Sequence, residues 1–99
     1  MKAEQIATII GALPIPVLLI GPDERVRAAN PAVGAVLGPN LLGRHHITVL
    51  RQPAVIAAVA ETRQSRAPTT VRFTSRDGPK DTVYRVAIAA ADGDIVLTF

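Results

Sequence analysis

The sequence has no cysteine, no tryptophan and only three aromatic side chains, Phe73, Tyr84 and Phe99. Without cysteine there are no disulfides, no thiolate metal ligands, no cysteine nucleophile and no flavin attached through sulfur. So few aromatics leave no stacking set of the kind that holds single-stranded nucleic acid. No apolar run is long enough to cross a bilayer, and the first residues lack the pattern of a signal peptide. Carboxylates are scarce in the middle of the chain. Residues 41–76 carry six arginines against the single Glu61, a local balance of +5, whereas residues 77–99 carry two basic groups against four acidic ones. Such a patch suits nucleic acid, but a solvated helix face beside a strand accounts for it equally. No direct nucleic-acid or membrane contact is expected.

What is present is aliphatic. Apolar residues make up 48% of the 99 positions, nearly all of them Ile, Val, Leu and Ala. That composition is globular, and the length allows one domain with one core. It leaves no room for a nucleotide-binding kinase domain in the same chain. A core of branched aliphatics favours layered helix and sheet.

Ile6, Ile9, Ile10 and Leu13 follow the spacing of one apolar helix face, which predicts a helix over 3–13 that Pro14 and Pro16 end. Being short, it must pack on something to persist. Val17 to Ile20 reads as a central strand, Gly21-Pro22-Asp23-Glu24 as a turn, and Val26 with Ala28 as a half-exposed partner strand. Asn30-Pro31 starts a helix by capping and by proline at its first position; Gly38-Pro39 stops it. Leu41, Leu42, Ile47 and Leu50 suggest short helical turns. Gln52-Pro53 opens the strongest helix, reaching about Arg66. From Pro68 the period becomes two: one strand through Val71 and Phe73, a turn at Asp77-Gly78-Pro79, a long strand from Thr82 to Ala90, a turn at Asp92-Gly93, and a last strand with Ile95, Leu97 and Phe99 on one face.

Few residues suggest chemistry. His45-His46 is the first place to look for a metal or a catalytic base, yet neighbouring residues diverge in helix and strand alike, so the pair is badly placed to share one ion. A capping or hydrogen-bonded surface pair is the expectation. Asn30 reads as a helix cap, with a ligand-orienting role as the alternative. Arg44, Arg51, Arg63 and Arg66 read as solvated, with an anionic ligand or an acidic partner as the alternative. Catalytic residues, metal ligands and cofactors are expected to be none. The many alanines favour close backbone packing and leave room for a small apolar ligand. If a pocket exists, Ile47, Ile56, Val59 and Phe73 are its candidates.

The segments Leu13-Pro14-Ile15-Pro16-Val17-Leu18-Leu19-Ile20, Val26-Arg27-Ala28-Ala29-Asn30-Pro31-Ala32 and Leu42-Gly43-Arg44-His45 resemble, in that order, the recurring segments of PAS domains. The likeness runs from about Ile6 to Phe99. It implies an α+β PAS fold, a five-stranded antiparallel sheet with helices inserted between strands 2 and 3, over residues 14–99, with 1–13 as a flanking helix. Gly21 stands where PAS domains commonly have aspartate, and Glu24 where the hairpin often has glycine, which predicts a turn avoiding positive φ at Glu24. Haem-binding relatives carry their histidine on the long helix, where residues 53–66 have none. A narrower resemblance, through Val49-Leu50-Arg51-Gln52-Pro53-Ala54-Val55 and the closing Leu97-Thr98-Phe99, is to the cytoplasmic PAS domain of PhoR-like phosphate-regulon sensor histidine kinases. Nitrogen-regulation sensor kinases have a rather similar domain.

The resemblance implies a non-catalytic, cytoplasmic sensor or dimerisation module of a two-component system. Its parent would be an ATP-dependent protein-histidine kinase, anchored in the inner membrane or not, continuing past Phe99 into the kinase helices. The implied partners are a second copy of the chain and those helices, with a response regulator met only through the missing region. Ile6, Ile9, Ile10, Val96 and Thr98 are the expected dimer interface. The alternatives are a small-metabolite-binding PAS sensor and a PAS-containing transcriptional regulator.

Overall fold

The computed structural model describes residues 3–77 and 80–99. The turn read at Asp77-Gly78-Pro79 lies, at Gly78 and Pro79, outside the described residues. The elements in chain order are α1 (Ala3–Gly11), β1 (Val17–Ile20), β2 (Val26–Ala29), α2 (Pro31–Leu37), α3 (His46–Leu50), α4 (Pro53–Ser65), β3 (Thr69–Asp77), β4 (Lys80–Ala91) and β5 (Asp94–Thr98). They form one antiparallel sheet in the order β2-β1-β5-β4-β3. The expected α+β arrangement, with the helices between strands 2 and 3, is the one observed. α1 ends two residues before the predicted Leu13, ahead of the prolines.

The period-two pattern sets which side chains face the helices. Leu18, Ile20, Val86, Ile88, Ile95 and Leu97 are fully buried on the inner face, against Val33, Leu50, Val55 and Val59 of the helices. Alternate residues face outward: Val17, Leu19 and Ala28 form a second cluster with Ile10, Ile6 and Val96. α1 therefore lies on the outer face over β1 and β2.

Local chemistry explains the joints. Asn30 caps α2, its side-chain oxygen accepting from the Val33 N–H at 3.0 Å. The stretch 43–46 pairs with β2 rather than running as helix: Gly43 N–H donates to the Val26 carbonyl at 2.9 Å, Val26 N–H to the Arg44 carbonyl at 2.8 Å and His46 N–H to the Glu24 carbonyl at 2.9 Å. That covers one sheet edge, which would otherwise be free to pair with another chain. The opposite edge, β3, is capped at Thr74, whose backbone N–H and carbonyl are both engaged by the Gln52 amide at 3.1 and 2.7 Å.

The β1–β2 hairpin departs from expectation. Glu24 adopts φ 66°, the left-handed conformation that was predicted to be avoided. Its side chain supplies compensation, reaching the Arg63 guanidinium and, at 3.4 Å, the His46 ring. The two hairpin tips at this end of the sheet also touch closely. A Cβ on Gly93 would stand 2.9 Å from Pro22 Cγ, so no larger residue fits there without displacing the β1–β2 turn.

Candidate functional site

The polar groups gather at two joints, one at each end of the β1–β2 pair. The first is Asn30, 3% exposed. Its Oδ1 accepts from the N–H groups of Val17 and Val33, both at 3.0 Å, and its Nδ2 donates to the carbonyls of Ile10 at 2.9 Å and Ile15 at 2.7 Å. One side chain thus ties the end of α1, the start of β1 and the start of α2. The cap was legible in the sequence. The tie to α1 was not, because nothing local to Asn30 says which distant carbonyls will face it. The other end of the chain arrives at the same place: Phe99 N–H donates to the Pro16 carbonyl at 3.0 Å, and Val17 pairs with Thr98.

The second joint is Arg63. It was expected to be solvated, but from α4 it donates to the Gly93 carbonyl at 2.8 Å and the Gly21 carbonyl at 3.0 Å, while its Nε meets the Glu24 carboxylate. It clamps both hairpin tips to the end of α4. Arg27 Nη1 donates to both carboxylate oxygens of Asp94, at 2.9 and 3.1 Å. The histidines divide the work. His45 Nδ1 accepts from Ile47 N–H at 3.3 Å and caps α3, as a surface cap would; His46 is buried, its Nδ1 3.1 Å from the Glu24 carbonyl. Their rings stack, centroids 4.8 Å apart. Among the described residues no three His, Asp or Glu side chains gather as metal ligands would.

The four pocket candidates do not share one space. Val59 and Phe73 are core residues with Ile56 packed beside them, and Ile47 points outward, 49% exposed. A cleft of about 220 Å³ between α2, α3 and β3 takes in Phe73 but none of the other three. Of the interface candidates, Ile6, Ile10 and Val96 lie together in the cluster under α1, so Ile10 is covered by its own sheet. Thr98 and Val96 border a shallow groove of about 330 Å³ on the outer face, with Ala87, Ala89 and Thr70. Ile9 is the one that faces away from the domain, 50% exposed.

No family model and no curated protein matches the sequence. Solved structures do match the architecture. The photoactive yellow protein domain from the sensor histidine kinase Ppr of Rhodospirillum centenum superposes with a TM-score of 0.76 at 13% identity, over 93% of this chain and 90% of that one. A domain of a sensory box sensor histidine kinase/response regulator from Geobacter sulfurreducens gives 0.68 at 15% identity, over 97% and 90%. The PAS domain from BvgS of Bordetella pertussis gives 0.64 at 16% identity, over 96% and 77%.

The chain has the PAS fold. Identities this low speak to the fold alone, so what this chain does rests on its own residues. Its inner face is closed by Leu18, Ile20, Ile88, Ile95 and Leu97. Asn30 and Arg63 tie elements together at the two joints, and part of the outer face is left bare by α1.

Proposed function

We propose that this chain is a non-catalytic PAS sensor and dimerisation module of a two-component sensor histidine kinase, of the phosphate-regulon type that its segments resemble. The observation that carries the reading is the Asn30 joint. It fastens α1 to the sheet within two residues of the β1–β5 pairing that ends at Thr98. A shift of α1 would therefore act directly at the end of β5, where the helices of a kinase parent would take over. Such a device needs two states with different contacts, and α1 is suited to switch. It is nine residues long, too short to persist without its docking surface.

The second copy would use the outer face. Ile9, Leu13 and Ile15 are 50%, 40% and 47% exposed. A two-fold pair would bring each copy's apolar ridge to the other's open sheet, a self-complementary contact. No helix among the described residues is long and apolar enough to cross a membrane; in this reading the module works in the cytoplasm and any anchor belongs to the parent. Catalysis, autophosphorylation of a histidine with ATP, also belongs to the parent.

Native mass spectrometry over a range of protein concentrations tests this, because it reads oligomeric state and bound mass together. The expected result is a ligand-free dimer that dissociates on dilution. A monomer at every concentration would remove the dimer, and a stoichiometric extra mass would replace the mechanical reading with ligand sensing.

A further inference from the structure

Ion pairs leave several of the described arginines over. Arg27 is matched by Asp94 and Arg63 by Glu24, but among the described residues no carboxylate pairs with Arg44 or Arg51. The two converge instead on one oxygen. Arg51 Nε donates to the Thr48 carbonyl at 3.1 Å, and Arg44 Nη2 approaches the same carbonyl at 3.4 Å. A guanidinium has five N–H donors, so each keeps most of its capacity unspent. The carbonyl end of α3 offsets this charge only in part, since a helix pole carries about half a charge.

Both arginines stand at the cleft of about 220 Å³ described above. Thr48, Thr74 and Ser75 also line it, and Leu37, Val49 and Phe73 give it an apolar part. The wall is braced by the two hydrogen bonds between the Gln52 amide and the Thr74 backbone. Arg51 also holds φ 62° at the end of α3, where glycine or asparagine would meet less strain.

We propose that this cleft binds a small organic anion. Arg44 and Arg51 hold a carboxylate head, and the carbon body lies on Leu37, Val49 and Phe73. Planar bidentate recognition of carboxylates is what guanidinium groups do best. The volume corresponds to about seven waters, enough for a short carboxylic acid and too little for a nucleotide. The inference deepens the metabolite-sensing alternative and rests on it. It moves the ligand from the filled inner face, where Ile56 and Val59 pack, to the rim beside α3.

The test is a titration of the chain with sodium benzoate, sodium succinate or sodium phosphate, at ionic strength held constant with sodium chloride, read by ¹H–¹⁵N amide shifts. Benzoate should give saturable shifts centred on Thr48, Arg51, Gln52 and Thr74, with a dissociation constant below about 10 mM. Arg44→Gln and Arg51→Gln should each weaken it by roughly ten-fold, the size of one charged hydrogen bond, with the rest of the spectrum unchanged. Arg66→Gln, at the far end of α4, should not. Absence of saturable shifts with either carboxylate would overturn the proposal, as would equal weakening by Arg66→Gln. Phosphate binding as tightly as benzoate would overturn the organic part and leave a bare charge site. A neutral compound retained on the purified chain would sink the anion while leaving metabolite sensing in place.

Discussion

The two faces of this sheet are built from the same strands and to opposite standards. On the inner face β1, β4 and β5 contribute Leu18, Ile20, Val86, Ile88, Ile95 and Leu97, all fully buried against the helices. On the outer face the same strands contribute Val17, Leu19, Ala87, Ala89, Val96 and Thr98, and α1 covers only the part over β1 and β2. Period-two alternation allows this, because successive residues belong to different environments. Large branched residues give the inner face its stability. On the outer face Val17, Leu19 and Val96 pack under α1, and the small Ala87, Ala89 and Thr98 lie on the part it leaves bare. In the proposed reading, stability is assigned to one side and exchange of contacts to the other, which is the division a mechanical signalling module requires.

The comparison breaks most visibly on the inner side. Leu97→Ala removes a fully buried side chain, and denaturant unfolding should report a loss of about 2–5 kcal/mol; a loss near zero would mean the inner face is not the packed one. Asn30→Asp is a sharper cut. It keeps the oxygen that accepts from Val17 and Val33 but loses the amide donor to Ile10 and Ile15. A loss of about 1–3 kcal/mol is expected from the unpaired buried carbonyls. Hydrogen exchange should show α1 losing protection while α2 keeps it, and equal loss in both helices would refute the joint. Thr62→Val should act in the opposite sense. The Thr62 hydroxyl is buried on α4 without a partner among the described residues, so its removal should stabilise by about 1 kcal/mol, seen as a raised unfolding midpoint. The smallest effect belongs to the outer face. Ala89→Glu sits on exposed sheet and should change stability by less than about 0.5 kcal/mol.

Much of this was legible in the sequence, and the reasons it ran out are physical. Alternation in 82–90 and 95–99 fixed the faces of β4 and β5, because sheet burial has a strict period. The Asn30-Pro31 cap was readable because its partner is three residues away. The α1 tie, the Arg63 clamp and the Arg44–Arg51 convergence were not, since each depends on residues that only the fold brings close: Arg63 reaches Gly21 across 42 positions. Glu24 was misread for a related reason. Local preference argued against positive φ, and distant Arg63 and His46 outweighed it. The pocket quartet was chosen by hydrophobicity along 47–59 and on 73, which does not distinguish outward Ile47 from buried Val59.

Sedimentation velocity of the unmodified chain and of Ala89→Glu, at matched concentrations, tests the division of labour between the two faces most directly. The account predicts that the unmodified chain dimerises reversibly and that Ala89→Glu is monomeric, with the unfolding midpoint that the unmodified chain shows when diluted to monomer. The same oligomeric state for both proteins at every concentration would contradict it.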